Sequence, residues 1–261
     1  MTQMVYLPFR YAALGQWSGR RRLMRQGVFD EGYALHILLS GVFGKGVLQP
    51  FRTFRPSRAE EATLYAYSDL EEGALRAVSE AAAPPDCLEV IDVAGLRAKA
   101  MPAHFSAGQR LGFDIRVRPV RRLARDLPDS QSGKVIRKGS EIDAFRLELL
   151  RRSPDGSKDR EVAPEATISR SDVYGRWLAE RLTGAAEVDL RSCRLTSFRR
   201  RRVIRGEGRG PEGPDSVLHG ECVVEDPTAF AATIAKGVGR HRAYGYGMLI
   251  VRPPGTPPQS R

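Results

Sequence analysis

Cysteine is scarce in this sequence, and the few that occur lie far apart. The 261 residues include three cysteines, Cys87, Cys193 and Cys222, and no two have the C-x-x-C spacing of zinc and redox motifs. An odd and scattered set does not build a disulfide framework. We therefore expect a protein of a reducing compartment, the cytoplasm.

Long apolar runs and metal-ligand clusters are missing too. No stretch approaches the roughly 18 apolar residues of a membrane-spanning helix, so we expect no membrane partner. The first residues lack the charged-then-apolar order of a signal peptide. Neither a pair of carboxylates nor a group of His, Cys and Asp stands at ligand spacing. This argues against a two-metal nuclease, and we expect neither a metal nor another cofactor.

Lysine is rare although the chain is strongly basic. Lysine and arginine total 42 residues against 31 acidic residues, which gives a formal net charge of +11 and a pI near 10.0. Only six of the basic residues are lysine. The planar guanidinium of arginine suits bidentate contacts with phosphates and base edges, although a GC-rich genome would also enrich arginine. The balance indicates a protein that binds a polyanion.

The first part of the chain, residues 1–100, predicts one small domain. Residues 15–27 are expected to form a loop with a basic run. Strand, helix, strand, strand, helix, strand is the ferredoxin-like order. The predicted elements are strands at 5–9, 47–54, 62–67 and 87–93, and helices at 31–43 and 71–83.

The same order repeats in residues 101–261, around a basic segment at 119–164 that Gly and Pro interrupt. The predicted elements are strands at 109–117, 190–205, 216–225 and 246–251, and helices at 141–152, 171–182 and 227–236. The sequence therefore predicts an α+β protein with two tandem ferredoxin-like domains, each of the βαββαβ, RRM-like kind.

A glycine-rich loop joins the last predicted helix to the last predicted strand. Glycines allow positive φ and close approach of the main chain to a ligand, and successive N–H groups can then cradle a phosphate. A dinucleotide-binding fingerprint needs the opposite order, strand then glycines then helix. A helix-ending turn with surface charge is the alternative. The loop residues are Gly237, Gly239, Arg240, His241, Arg242, Gly245 and Gly247.

A run of arginines at the end of the first strand of the predicted hairpin and in its turn is the second basic feature. Successive strand residues point to opposite faces, so a strand buried on one face cannot hold them all. Part of the hairpin must project beyond the sheet, where it can follow the phosphates of an RNA stem. A solvated linker is the alternative. The residues are Arg199, Arg200, Arg201, Arg202, Arg205 and Arg209.

Among four histidines, only His36 falls within a predicted helix, three residues after Tyr33 on the same face. Imidazole titrates in the range that suits proton transfer from the 2′-hydroxyl of RNA. Tyr33 could hydrogen-bond the phosphate or orient that hydroxyl. A structural histidine and simple packing of Tyr33 are the alternatives, and His241 is the reserve candidate for acid-base chemistry.

The loop pattern G-x-G, five residues, G-x-G between the last helix and the last strand resembles the C-terminal signature of CRISPR RNA-processing endoribonucleases, specifically the CasE branch of type I-E systems. The resemblance implies the double ferredoxin-like build over nearly the whole chain. It also implies a basic hairpin that grips the repeat stem-loop, and a catalytic tyrosine and histidine that Tyr33 and His36 match. Residues 121–166 form a longer segment than compact members would have.

The resemblance further implies metal-independent cleavage of precursor CRISPR RNA, with 5′-hydroxyl and 2′,3′-cyclic phosphate ends. The expected partners are the CRISPR repeat stem-loop, the mature crRNA and other Cascade subunits. One alternative is a catalytically silent subunit of the same fold that caps the 3′ stem-loop of the crRNA. An unrelated RRM-type domain is less favoured, because no strand carries the closely spaced aromatic residues of its motifs.

Overall fold

The structure of the protein is a computed structural model that describes residues 1–24, 28–56, 59–102, 104–129, 133–152, 168–205 and 208–256. For 203–205 and 208–211 it describes the backbone alone. Two four-stranded antiparallel sheets, each covered by helices, account for most of these residues.

The first sheet has the strand order β2-β3-β1-β4, with every neighbouring pair antiparallel. Its helices bury an apolar core that includes Leu7, Leu38 and Leu64. The elements are β1 (Gln3–Arg10), α1 (Tyr11–Arg20), α2 (Glu31–Phe43), β2 (Phe51–Phe54), β3 (Glu61–Ser68), α3 (Glu72–Ala82), α4 (Pro85–Leu88) and β4 (Arg97–Ala100).

The second sheet has the order β10-β11-β5-β12, again antiparallel. In both sheets the strands therefore run second, third, first, fourth, which confirms two tandem ferredoxin-like units. The elements are β5 (Arg110–Val117), β6 (Val120–Arg122), β7 (Leu127–Asp129), β8 (Lys134–Ile136), β9 (Glu141–Asp143), α5 (Ala144–Arg152), α6 (Arg170–Leu182), β10 (Ala186–Arg205), β11 (Gly208–Val224), α7 (Pro227–Lys236) and β12 (Leu249–Arg252).

The predicted loop at 15–27 is wrong in its first part, because α1 continues to Arg20. Leu14 and Trp17 are buried three residues apart, as on one helix face. Gly15 misled the prediction, yet the site of its absent side chain has no neighbour within 4 Å. A solvent-facing glycine lowers helix propensity without preventing a helix that tertiary packing supports.

The fourth strand of the first sheet was also placed wrongly, at 87–93. Cys87 lies in the short helix α4, which begins at Pro85, and Ile91 forms only an isolated bridge with Phe9. The true strand is β4, at the edge of the sheet, and three of its four residues are exposed. Such a strand carries no apolar pattern that a sequence could reveal.

The segment between β5 and α6 is an insertion with structure of its own. It contains two small antiparallel pairs, β6 with β9 and β7 with β8, followed by α5. The predicted helix at 141–152 therefore divides into a strand and a shorter helix. The predicted strand at 246–251 begins later, at Leu249.

The two units pack against each other through polar as well as apolar contacts. The Tyr67 hydroxyl on β3 donates a hydrogen bond of 2.8 Å to the Leu249 carbonyl on β12, and both residues are buried. Arg52 on β2 forms a buried ion pair with Asp114 on β5. The division of the chain at residue 100 stays a prediction. In the described ranges, no helix is long and apolar enough to cross a membrane.

Candidate active site

Helix α2 carries the two residues predicted to act on RNA. It begins at the predicted N-cap, Asp30, whose Oδ1 accepts a hydrogen bond of 3.2 Å from the backbone N–H of Tyr33. The leucine stripe of the helix is buried, whereas Tyr33 and His36 are partly exposed on another face. The predicted helix and the placement of Tyr33 and His36 away from its leucine stripe are confirmed, and their catalytic role stays a prediction.

The environment of His36 keeps its imidazole available. It makes no hydrogen bond or ion pair with any residue in the described part of the chain. Burial, and secondly the charge of Lys45, lower the pKa of His36 below its usual value of 6.5. At neutral pH the ring is therefore mainly uncharged, which is the form that can accept a proton. Lys45 was not among the predicted site residues.

A residue from the other domain completes this face. The ring of Tyr244 meets the ring of His36 edge-on, at 5.1 Å between centroids, and stacks with Tyr33 at 6.5 Å. A side-chain Cβ at Gly32 would overlap the Tyr244 carbonyl, so the loop backbone lies directly on α2. Sequence reasoning missed Tyr244, because nothing local in the chain indicates a contact over about 200 residues.

The glycine-rich loop adopts the predicted backbone geometry. Gly237, Gly239, Gly245 and Gly247 have φ values of 74°, 78°, 83° and 80°. The space around them is filled by protein: a Cβ at Gly239 would lie 2.9 Å from the ring of Trp177. The glycines thus let the loop pack closely against both domains, and a phosphate cradle at this loop stays a prediction.

Arg240, His241 and Arg242, at the centre of the loop, already have protein partners. His241 is buried, and its Nε2 lies 3.0 Å from Oε2 of Glu141, while Arg240 Nε lies 2.8 Å from the other oxygen of that carboxylate. Arg242 donates a hydrogen bond of 2.7 Å to the Lys236 carbonyl. Glu141 belongs to the insertion, which therefore anchors the loop. This geometry favours a packing role for His241, and RNA contacts by these residues stay predictions.

The predicted arm is present. Strands β10 and β11 pair from Arg199 with Asp215 to Arg205 with Gly208, whereas β5 pairs with β11 only from Ser216 onward. The arginine run thus lies on a two-stranded ribbon beyond the sheet. Arg199, Arg200 and Arg202 are exposed and Arg201 is partly buried. The side chains of Arg205 and Arg209 lie outside the described part of the structure.

The base of the arm is tied to both domains. Arg116 donates hydrogen bonds of 2.8 and 2.6 Å to the two carboxylate oxygens of Asp215. Burial would raise the pKa of Asp215, but the hydrogen bonds and charge of Arg116 outweigh it, and the pKa is lowered. Nη2 of Arg201 lies 3.6 Å from Oε2 of Glu31, the first residue of α2. The arm therefore starts beside the helix that carries His36.

Comparison with known proteins identifies the family. The family described as "CRISPR associated protein" matches residues 16–253. The chain belongs to this family. No curated protein matches the sequence of this CRISPR-associated protein.

Solved structures that share the fold of this CRISPR-associated protein include RNA complexes. A CRISPR endoribonuclease Cse3 bound to a 19-nucleotide RNA is 19% identical, with 97% of this chain and 100% of that chain covered and a TM-score of 0.56. Thermus thermophilus Cse3 bound to an RNA representing a pre-cleavage complex is 18% identical, with 97% and 99% covered and a TM-score of 0.57. Cas6e from Escherichia coli K-12 is 17% identical, with 97% and 100% covered and a TM-score of 0.54.

The TM-scores establish a shared fold, and the site of this CRISPR-associated protein rests on its own geometry. Across the described ranges, no group of three or more His, Cys, Asp and Glu side chains is arranged to hold a metal ion. The residues that come together at α2 are an imidazole, two phenol rings and the ammonium of Lys45.

Proposed function

We propose that this CRISPR-associated protein is an endoribonuclease that cuts precursor CRISPR RNA at repeat stem-loops. The observation that carries the proposal is the state of His36, a partly exposed imidazole with a lowered pKa and no hydrogen-bond partner in the described chain. It shares its helix face with Tyr33, and the helix that carries both residues contacts the basic arm through the pair of Glu31 and Arg201. An acid-base group beside an anion-binding surface is what RNA cleavage by transesterification needs.

The chemistry uses the RNA's own nucleophile. The 2′-oxygen attacks the adjacent phosphorus, the bond from phosphorus to the 5′-oxygen breaks, and the 2′-proton passes to the neutral imidazole of His36. The departing 5′-oxygen takes a proton from water. The products are a 2′,3′-cyclic phosphate and a 5′-hydroxyl. Tyr33 donates a hydrogen bond to the phosphate, and the charge of Lys45 favours the extra negative charge of the transition state.

The remaining parts of the proposed activity concern RNA binding. The exposed arginines of the arm contact the phosphates of the repeat stem, which A-form RNA presents by shape more than by sequence. The glycine-rich loop holds Tyr244 against α2, so that the arm and the loop place the cut beside His36. The processed crRNA stays bound, and the protein assembles with other Cascade subunits. Similarity in fold to Cse3 structures that contain RNA supports this part.

Cleavage of repeat RNA in the presence of EDTA tests the proposal. The substrate is the repeat from the protein's own genomic neighbourhood, and the control is the same RNA with 2′-deoxyribose at the cut site. We expect cleavage of the first RNA alone, with 5′-hydroxyl and 2′,3′-cyclic phosphate ends. Tight binding of both RNAs without cleavage would instead support the catalytically silent subunit that caps the 3′ stem-loop.

A further inference from the structure

A cleft between the two domains lies at the base of the arm and has no role in the chemistry above. Its volume is about 430 Å³, within the range of sites for small molecules. Glu31 lines it, and His36 follows five residues later on α2, which places the two about 7.5 Å apart along the helix axis. The two residues face different sides of α2, and the cleft lies at the N-terminal end of that helix, at the base of the arm, where Arg199, Arg200 and Arg201 line it.

The cleft is strongly basic. Six arginines line it against two carboxylates, Glu31 and Asp215. Four of the arginines already pair with carboxylates, whereas Arg55 and Arg199 form no ion pair within the described part of the chain. The lining arginines are Arg52, Arg55, Arg116, Arg199, Arg200 and Arg201. Two cations that have no carboxylate partner among the described residues give the cleft a preference for an anion.

The cleft also has a flat surface. The guanidinium carbon of Arg55 lies 4.0 Å from the centroid of the Tyr11 ring, which supports one face of the guanidinium plane. Because Arg55 is exposed, its other face can be covered by a ligand. Unpaired RNA bases stack on aromatic rings and on arginine planes in this way. Glu31 and Thr53, joined by a hydrogen bond of 2.7 Å, add oxygen acceptors for a base edge.

We propose that this cleft binds one unpaired nucleotide of the RNA strand that flanks the stem. Its phosphate contacts Arg199, the first arginine of the arm, and its base stacks on Arg55. A free anion would contact the arginine cations but leave the exposed face of Arg55 uncovered, whereas a nucleotide contacts the cations with its phosphate and that face with its base. The inference rests on the proposed function, because a stem held by the arm delivers its flanking strand to the base of the arm.

Binding of matched RNA probes tests the inference separately from cleavage. Fluorescence anisotropy compares a bare repeat stem-loop with stem-loops that carry a short unpaired extension at the 5′ or the 3′ end. All probes have 2′-deoxyribose at the cut site, so the result does not depend on activity. Wild-type protein should bind one extended probe at least about five-fold more tightly than the bare stem-loop. Neither extension improving affinity would overturn the inference.

Substitutions in the cleft test whether it is the source of the gain in affinity that the extension provides. Arg55→Gln and Tyr11→Leu should abolish most of the gain and leave affinity for the bare stem-loop unchanged. The matched control is Arg176→Gln, an exposed arginine on α6, which should keep the gain. An abasic nucleotide in the extension removes the stacking base without changing the protein, and it should lose most of the gain too. Equal weakening of bare and extended probes by Arg55→Gln, or a full gain from the abasic probe, would contradict the inference.

Discussion

Two histidines contact the same tyrosine ring in this protein, and their surroundings are opposite. Tyr244 lies 5.1 Å from His36 and 6.3 Å from His241, measured between ring centroids. His36 is partly exposed and has no hydrogen-bond partner in the described chain, whereas the side chain of His241 is 1% exposed and contacts Glu141. Nearness to the site thus does not decide a role. Exposure and the absence of a competing partner in the described chain are what favour His36 as the acid-base group.

The backbone conformations of the two histidines differ as well. His36 lies within the regular helix α2, while His241 has a left-handed conformation with φ of 65°. A histidine with positive φ persists only where surrounding contacts hold it, and the carboxylate of Glu141 supplies such a contact. The comparison therefore supports the proposal that His36 carries the chemistry and that His241 anchors the loop.

The largest expected effect comes from His36→Ala. Loss of a positioned acid-base group slows cleavage by about 10²- to 10⁴-fold, while RNA affinity stays within a few-fold because phosphate contacts elsewhere supply most of it. Single-turnover cleavage and binding of the 2′-deoxy substrate measure the two effects. His104→Ala, at an exposed position, is the control. Parallel losses of binding and cleavage would instead give His36 a structural role.

Gly32→Ala tests the contact that brings Tyr244 to α2. Its Cβ would overlap the Tyr244 carbonyl, so we expect a loss of about 1–3 kcal/mol in the free energy of unfolding and slower cleavage. Gly41→Ala is a matched control on the same helix, where the new Cβ would have no neighbour within 4 Å. That variant should be more stable by about 0.5–1 kcal/mol. Denaturant unfolding measures both, and equal stabilities would refute the close packing.

Glu141→Gln tests the anchor of the loop. Removing the charge that holds His241 and Arg240 should lower the free energy of unfolding by about 1–3 kcal/mol. At low temperature, where the variant is folded, its cleavage rate should fall far less than the rate of the His36→Ala variant. Glu148→Gln breaks only a partly exposed pair with Arg152 and should change stability by about 0.5 kcal/mol or less. Equal effects of the two substitutions would remove the assigned role of Glu141.

The smallest expected effect is a shift in the pH dependence of cleavage. Because the pKa of His36 is lowered, cleavage efficiency, kcat/KM, should rise with pH along a limb whose midpoint lies below pH 6.5, and should then level off. Lys45→Met removes a positive charge that disfavours the imidazolium, so the pKa of His36 should rise and the ascending limb should move to higher pH. Profiles of single-turnover rates at subsaturating protein measure the shift. A limb that moves to lower pH would contradict the electrostatic account.

Much of the fold could be predicted because its helices and central strands carry strong local signals. Helices α2 and α7 have the predicted bounds, since Asp30 and Pro227 start them and glycines end them. Helix α1 and strand β4 were missed for the opposite reason. Gly15 and a basic run weaken the helix signal of the first, and exposure removes the apolar alternation of the second.

Only the part of the candidate site that lies on a single helix could be predicted from the sequence. Tyr33 and His36 are three residues apart on one helix, so helix periodicity brings them together. Their neighbour Tyr244 and its support Glu141 come from distant parts of the chain, through tertiary packing that no local pattern encodes. The arginines that flank His241 suggested an RNA contact, and only the structure shows that the carboxylate of Glu141 already contacts its ring nitrogen.

Chemical rescue tests most directly whether His36 carries the chemistry and His241 does not. Imidazole is added to His36→Ala and to His241→Ala, and single-turnover cleavage of the repeat RNA is followed at saturating protein. We expect imidazole to raise the rate of His36→Ala in proportion to its concentration, because it replaces the missing proton acceptor, and to leave the rate of His241→Ala unchanged. Wild-type cleavage by His36→Ala without imidazole, or rescue of His241→Ala alone, would contradict the account.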